Sequence, residues 1–159
     1  MSGALGTKAP AGADALATNE LMVARPRVPG WELRLAGAIE AARGRAFQWG
    51  QHDCAIWAFD LRRDLTGGGD VAELWRGRYR TAHGAARVMR RLGWSNLEAA
   101  GRSLLGDPLP SVHLAQRGDL VLAGSGPGFG VCLGAQAAGI APEGLVRVPL
   151  ASCSLAWRI

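Results

Sequence analysis

The chain reads as an α+β domain in which helices come first and an antiparallel sheet follows. Two observations predict this. Between Trp31 and Gly106, apolar residues recur at helical spacing in segments that mostly open on a capping residue and close on glycine. After Pro110 the pattern changes to short apolar runs separated by turn residues. Helices and strands segregated along the chain predict helices packed on one sheet rather than alternating βαβ units.

The first predicted helix carries Trp31, Leu35, Ala38, Ile39 and Ala42 and stops at Gly44. The loop "RAFQWGQH" leads to Asp53, a good N-cap for a second helix with Cys54, Ala58, Leu61 and Leu65 in one stripe. "TGGG" at 66–69 ends it, and "VAELWRGRYR" reads as a short helical turn and a loop. Thr81 caps a third helix with Ala82, Ala85, Val88, Met89 and Leu92 inward, and Arg87, Arg90 and Arg91 mainly outward. Gly93 stops it. Ser95 and Glu98 form a capping box, "SNLE", for a fourth helix with Leu97, Gly101 and Leu104. Four strands follow, in "GDLVLA" (118–123), "FGVCLGA" (129–135), "GLVRVPL" (144–150) and "CSLAWRI" (153–159). Residues 1–30, rich in Ala, Gly and Pro and without amphipathic period, read as an extended arm that binds a partner; 31–159 form the domain.

At 159 residues, 48% hydrophobic and 19% charged, the chain is sized for one globular domain. Its net charge is +5 and its pI about 10.1, with a single lysine, Lys8. A basic chain suits nucleic acid, an anionic wall polymer or an acidic protein. The arginines form no block and the tryptophans are scattered, so nucleic acid is not favoured. Three dispersed cysteines, Cys54, Cys132 and Cys153, form no C-x-x-C; neither a metal site nor a disulfide framework is expected, and no cofactor is implied. Odd cysteines fit folding in a reducing cytosol. The N-terminus lacks the apolar core of a secretory signal. The uncharged stretch 120–142 is broken by Gly124, Gly126, Pro127, Gly128 and Gly130, so it reads as a hairpin rather than a membrane span or a phosphate loop.

The chemistry-bearing stretch is "QHDCAIWAFDLRRD", residues 51–64. A thiol attacks only as thiolate, and the first turn of a helix lowers its pKa. A cysteine opening a helix that packs on a histidine-bearing sheet is one half of a Cys–His dyad. A cysteine on an apolar stripe is more often a small packing residue.

The stretches "FQWGQHDCAIWAFD", "WRGRYRTAHGA", "RGDLVL" and "GVCLG" resemble a branch of the NlpC/P60-like proteins, with "HDC" and "WRGRYRTA" the most specific. The resemblance covers residues 31–159 and implies a compact papain-like fold. Active members cleave peptide stems of bacterial cell wall with a cysteine of a D-C motif and a histidine on the strand after "GDLV". Asp53–Cys54 matches the D-C pair, Arg117 to Val121 the "GDLV" strand, and Gly130 to Gly134 the next strand. The histidine stands two residues before that first glycine, which here is Gly128. The third polar partner has no match in "AAGIAPEGLVRV".

Of the three histidines, His52 precedes Cys54 in the loop, His113 precedes the "GDLV" strand, and His83 sits in the first turn of the third helix. His52 and His113 are the substitute bases to consider; Asp53 is a candidate acid as well as a cap. The resembled branch is encoded in tail-gene clusters of long-tailed phages, prophages and gene-transfer particles. It implies tail hub and baseplate proteins as partners and a place at the virion tail tip, after synthesis in the bacterial host cytoplasm. Two main readings stand. One is a structural tail-tip component without its standard base. The other is a cysteine peptidase or amidase that acts on peptidoglycan stem peptides during wall penetration, using Cys54 with His52 or His113. A host-encoded hydrolase unrelated to particles is a third, weaker reading.

Overall fold

The computed structural model describes residues 25–126 and 128–159. Among the described residues, four helices, α1 (Trp31–Arg43), α2 (Cys54–Thr66), α3 (Ala82–Arg91) and α4 (Leu97–Leu105), precede five strands. These are β1 (Leu120–Ala123), β2 (Phe129–Cys132), β3 (Gln136–Ala141), β4 (Gly144–Pro149) and β5 (Cys153–Trp157). They form one antiparallel sheet in the order β4-β3-β2-β1-β5. The α+β class and the helix-then-sheet order are as the sequence predicts.

Strand β3 is the element the sequence pattern misses. Its residues, QAAGIA, include one β-branched side chain, Ile140, and no aromatic one, too little to mark a strand. Small residues are what the position requires. Gly139 pairs with Gly130, and a Cβ on it would lie 3.1 Å from the Phe129 carbonyl oxygen. Ala138 and Ile140 pack on a cluster with Leu35, Trp57 and Leu61 of the helices.

Helix α2 is the core element. The predicted single stripe is a subset of what it buries: Ala58, Leu61 and Leu65, but also Ile56, Trp57 and Phe59. Ile56 and Phe59 pack with Trp75, Trp94 and Phe129, whereas Trp57, Leu61 and Leu65 pack with α1, Val131 and Ala138. Covered on both flanks and on the sheet side, the helix has little surface left for solvent. Gly67, in the left-handed region at φ 65°, closes it with its N–H bonded to the Arg63 carbonyl.

Helix α3 is capped by Thr81, whose hydroxyl accepts the Gly84 N–H. Of its predicted inward residues, Val88 alone is buried. The α4 cap is one residue later than the predicted box: Asn96, not Ser95, accepts the Ala99 N–H, at 2.8 Å. Gly101 belongs on the inner face of α4 because the Trp157 ring lies against it; a Cβ there would meet Cη2 at 2.6 Å. Trp157 in turn donates its Nε1–H to the Gly106 carbonyl.

The predicted arm is not free of the domain throughout. Val28 donates its N–H to the Leu65 carbonyl, and the Arg27 guanidinium stacks over Trp31 at 4.3 Å. Arg27 also pairs with buried Asp119 at 2.7 Å and donates to the Arg117 carbonyl. Arg27 and Val28 therefore lie against the domain, while residues 1–24 of the predicted arm lie outside the described residues. No helix among the described residues is long and apolar enough to cross a membrane.

Candidate functional site

Asp53 ends the loop before α2 and organises its start. It caps the helix by accepting the Ile56 N–H at Oδ1, 3.0 Å. Its Oδ2 accepts the Gly50 N–H at 3.0 Å and the Tyr79 hydroxyl at 2.6 Å. At 1% exposure, with three donors on two oxygens, the carboxylate is fully engaged in structure. Gly50 is in the left-handed region at φ 78°, and any Cβ there would collide with the Tyr79 carbonyl. Loop, cap and Tyr79 thus form one buried assembly.

Cys54 follows as the first residue of α2, partly exposed, facing the start of β2. A Cβ built on Gly128 would lie 3.5 Å from both Cβ and Sγ of Cys54. Position 128, to which the resemblance assigns a histidine, therefore faces the sulfur and carries no side chain. Burial pushes the Cys54 thiol up to about 11, aided by the neighbouring Asp53 carboxylate; the Phe129 backbone amide and the amides of the first turn oppose the shift. Desolvation outweighs the helix terminus, and Cys54 is a protonated thiol at neutral pH.

Two cavities adjoin this cysteine. One, about 200 Å³, lies between α2, α3 and α4 and is almost wholly apolar. The other, about 190 Å³, runs over β1–β4 past Gly128, Gly130 and Gly139. No histidine lines either.

The structure does not bring the substitute bases to the sulfur. The His52 backbone pairs with Gln48, and its side chain lines a groove on the α1 side of α2, with Ala42, Arg45, Trp57 and Asp60. Its imidazole is buried, its Nε2 has no partner among the described residues, and its pKa is lowered by burial and then by Arg45. Buried in that groove, it has no bond to Cys54. His113 is exposed on the 3-10 turn Val112–Leu114. That turn packs through Val112 on Val121, Cys132, Ala137 and Ala156, the sheet face opposite to Phe129 and Val131. His113 lines neither of the two cavities beside Cys54. His83 is exposed on α3. Among the described residues no histidine is hydrogen-bonded to Cys54, and no cluster of three or more His, Cys, Asp or Glu is arranged to hold a metal.

The domain of unknown function DUF6950 matches residues 26–159. The chain belongs to that family. No curated protein and no solved structure matches it. The DUF6950 match begins next to Arg27, the first residue seen anchored to the body.

Two features of this DUF6950 domain escape a reading of single residues. Tyr79 lies within "WRGRYR", a stretch whose specificity was visible but whose contact with Asp53, 26 positions away, was not. Arg76 in the same stretch pairs with Asp60 at 2.6 Å and Asp70 at 2.9 Å, and the Asp60 bond holds its pKa well above normal. "WRGRYR" is therefore the strap that ties the 3-10 turn Val71–Leu74 and the Cys54 loop to α2. The acid of "RGDLVL", Asp119, is likewise structural: it accepts from Arg27, Arg158 and the Gln116 and Ile159 amides.

Proposed function

We propose that this domain is a papain-like, NlpC/P60-like body without hydrolytic machinery, serving as a structural component of a phage-like tail tip. The observation that supports the non-enzymatic half is the surroundings of Cys54: glycine faces the sulfur, no imidazole lines the adjoining cavities, and the thiol holds its proton. A general base contributes about 10²–10⁴-fold to such chemistry. The tail-tip assignment rests on the resemblance of "HDC" and "WRGRYRTA"; the net charge of +5 is compatible with anionic partners. Partners are then tail hub and baseplate proteins.

The peptidase reading differs in one measurable way. Purified peptidoglycan is incubated with wild type and with Cys54→Ala, and released stem peptides are quantified. Equal, background-level release is expected, together with detection of the chain in purified particles by mass spectrometry. Release by wild type that disappears in Cys54→Ala would overturn the non-enzymatic reading. Absence of the chain from particles of a strain that expresses it would overturn the tail-tip reading.

A further inference from the structure

The positive charge of this chain is concentrated in one short stretch. Residues 74–97 contain six arginines and no acidic residue. Of the chain's 18 basic side chains, the other 12 are offset by 13 acidic ones, so the net charge of +5 resides in that stretch. Arg76 is neutralised by Asp60 and Asp70. Arg78, Arg80, Arg87, Arg90 and Arg91 are exposed and have no ion pair among the described residues. Three of these five sit on α3. Arg87, Arg90 and Arg91 follow His83 at helical spacing and form the outer stripe of the helix, opposite Ala85, Val88 and Leu92. The arrangement works against the helix. Like charges three and four positions apart repel. Arg78 and Arg80 precede the Thr81 cap, beside the positive end of the helix dipole. The dipole favours only Arg90 and Arg91, in the last turn. An anionic partner relieves such repulsion.

The side chains of the face select the partner. The stripe holds no large apolar side chain to enter a bilayer and no Phe, Tyr or Trp to stack a base. A second copy offers no matching surface. Its exposed acids without an ion pair among the described residues, Glu32, Glu73, Asp107 and Glu143, are dispersed over α1, the 3-10 turn Val71–Leu74, the loop after α4 and the β3–β4 turn. The described residues hold no lysine. Arginine grips a carboxylate through paired parallel bonds, and it is enriched where proteins meet whereas lysine is depleted there. We propose that the outer face of α3 is a docking surface for a second protein that presents a row of carboxylates, which Arg87, Arg90 and Arg91 grip. The surface rests on charge and stands whether or not that partner belongs to a tail.

The probe is a fluorescein-labelled oligoglutamate of about 20 residues, which in extended form exceeds the length of α3, roughly 15 Å. Its anisotropy is followed as the full chain is added at about 0.15 M salt. Saturable binding is expected. Arg87→Glu combined with Arg90→Glu and Arg91→Glu should weaken it about 10–100-fold, three exposed ion pairs being lost and replaced by repulsion. The same change of net charge at Arg45, Arg117 and Arg147, exposed on other elements, should alter it less than about 3-fold, because distant exposed charges are screened. Lysine at positions 87, 90 and 91 keeps the charge but removes the paired bonds; it should weaken binding about 3-fold or more, and it serves if the charge reversal does not fold. No saturable binding by wild type, equal loss from the two charge reversals, or unchanged binding by the lysine variant would overturn the proposal. Tighter binding of a DNA duplex of about 20 base pairs would overturn it in favour of nucleic acid. Self-association that the α3 reversal abolishes would overturn it in favour of a second copy.

Discussion

Replacing Asp119 by alanine should lower the unfolding free energy by about 3–5 kcal/mol, the cost of breaking a buried ion pair from one side. Asp119 is fully buried and holds together parts of the chain far apart in sequence. Arg27 reaches it across 92 positions and Arg158 across 39. The two guanidinium groups fare differently without it. Arg158, about half exposed, returns to water, whereas Arg27 is 15% exposed and remains desolvated without its carboxylate. The Gln116 and Ile159 amides lose their acceptor as well. Urea unfolding monitored by tryptophan fluorescence checks this. Asp119→Asn, which keeps an acceptor but no charge, should fall between wild type and alanine. A loss under about 1 kcal/mol for Asp119→Ala would mean that the clasp contributes no more than an exposed pair.

Asp53→Ala should cost about 2–4 kcal/mol, although it removes no apolar surface. Loss of the α2 cap accounts for about 0.5–2 kcal/mol, and a buried Tyr79 hydroxyl without its acceptor for about 1–3 kcal/mol. Tyr79→Phe removes the same bond without leaving an orphan donor, so it should cost about 1 kcal/mol. The double variant should then be less destabilised than the sum of the two, because the groups share one bond. Strict additivity in chemical denaturation would contradict the assembly of cap, loop and tyrosine described here.

The legible parts of the sequence were those governed by local physics. Asp53, Thr81, Gly67 and Gly93 act through neighbours within four residues, so capping rules find most helix ends. Position 128 was reached through the resemblance alone, which sets the histidine two residues before Gly130. Strand β3 was hidden because its alanines and Gly139 are chosen by what lies over them, which no propensity records. The one-residue displacement of the α4 cap reflects two adjacent capping residues, Ser95 and Asn96, of equal aptitude. Long-range polar contacts were hidden throughout. Nothing near Asp53 indicates Tyr79, nothing near Asp119 indicates Arg27, and His52 reads as a loop residue until the fold turns it towards α1 and buries it. The cavity under α3 was invisible for a related reason: an inward alanine looks the same in sequence whether it meets a side chain or a void.

The central claim is that the Cys54 site holds a protonated thiol without a base, and the rate of its alkylation against pH tests this most directly. Iodoacetamide labelling of the native chain, resolved by peptide mass spectrometry, separates Cys54 from Cys132 and Cys153, which are buried. With a midpoint near 11, about one Cys54 in 10⁴ is thiolate at pH 7, roughly two orders of magnitude fewer than for a free cysteine. The account predicts a single rise centred near pH 11 and unchanged by His52→Ala or His113→Ala. A midpoint below 7, shifted upwards by either histidine substitution, would contradict it and establish a Cys–imidazole pair.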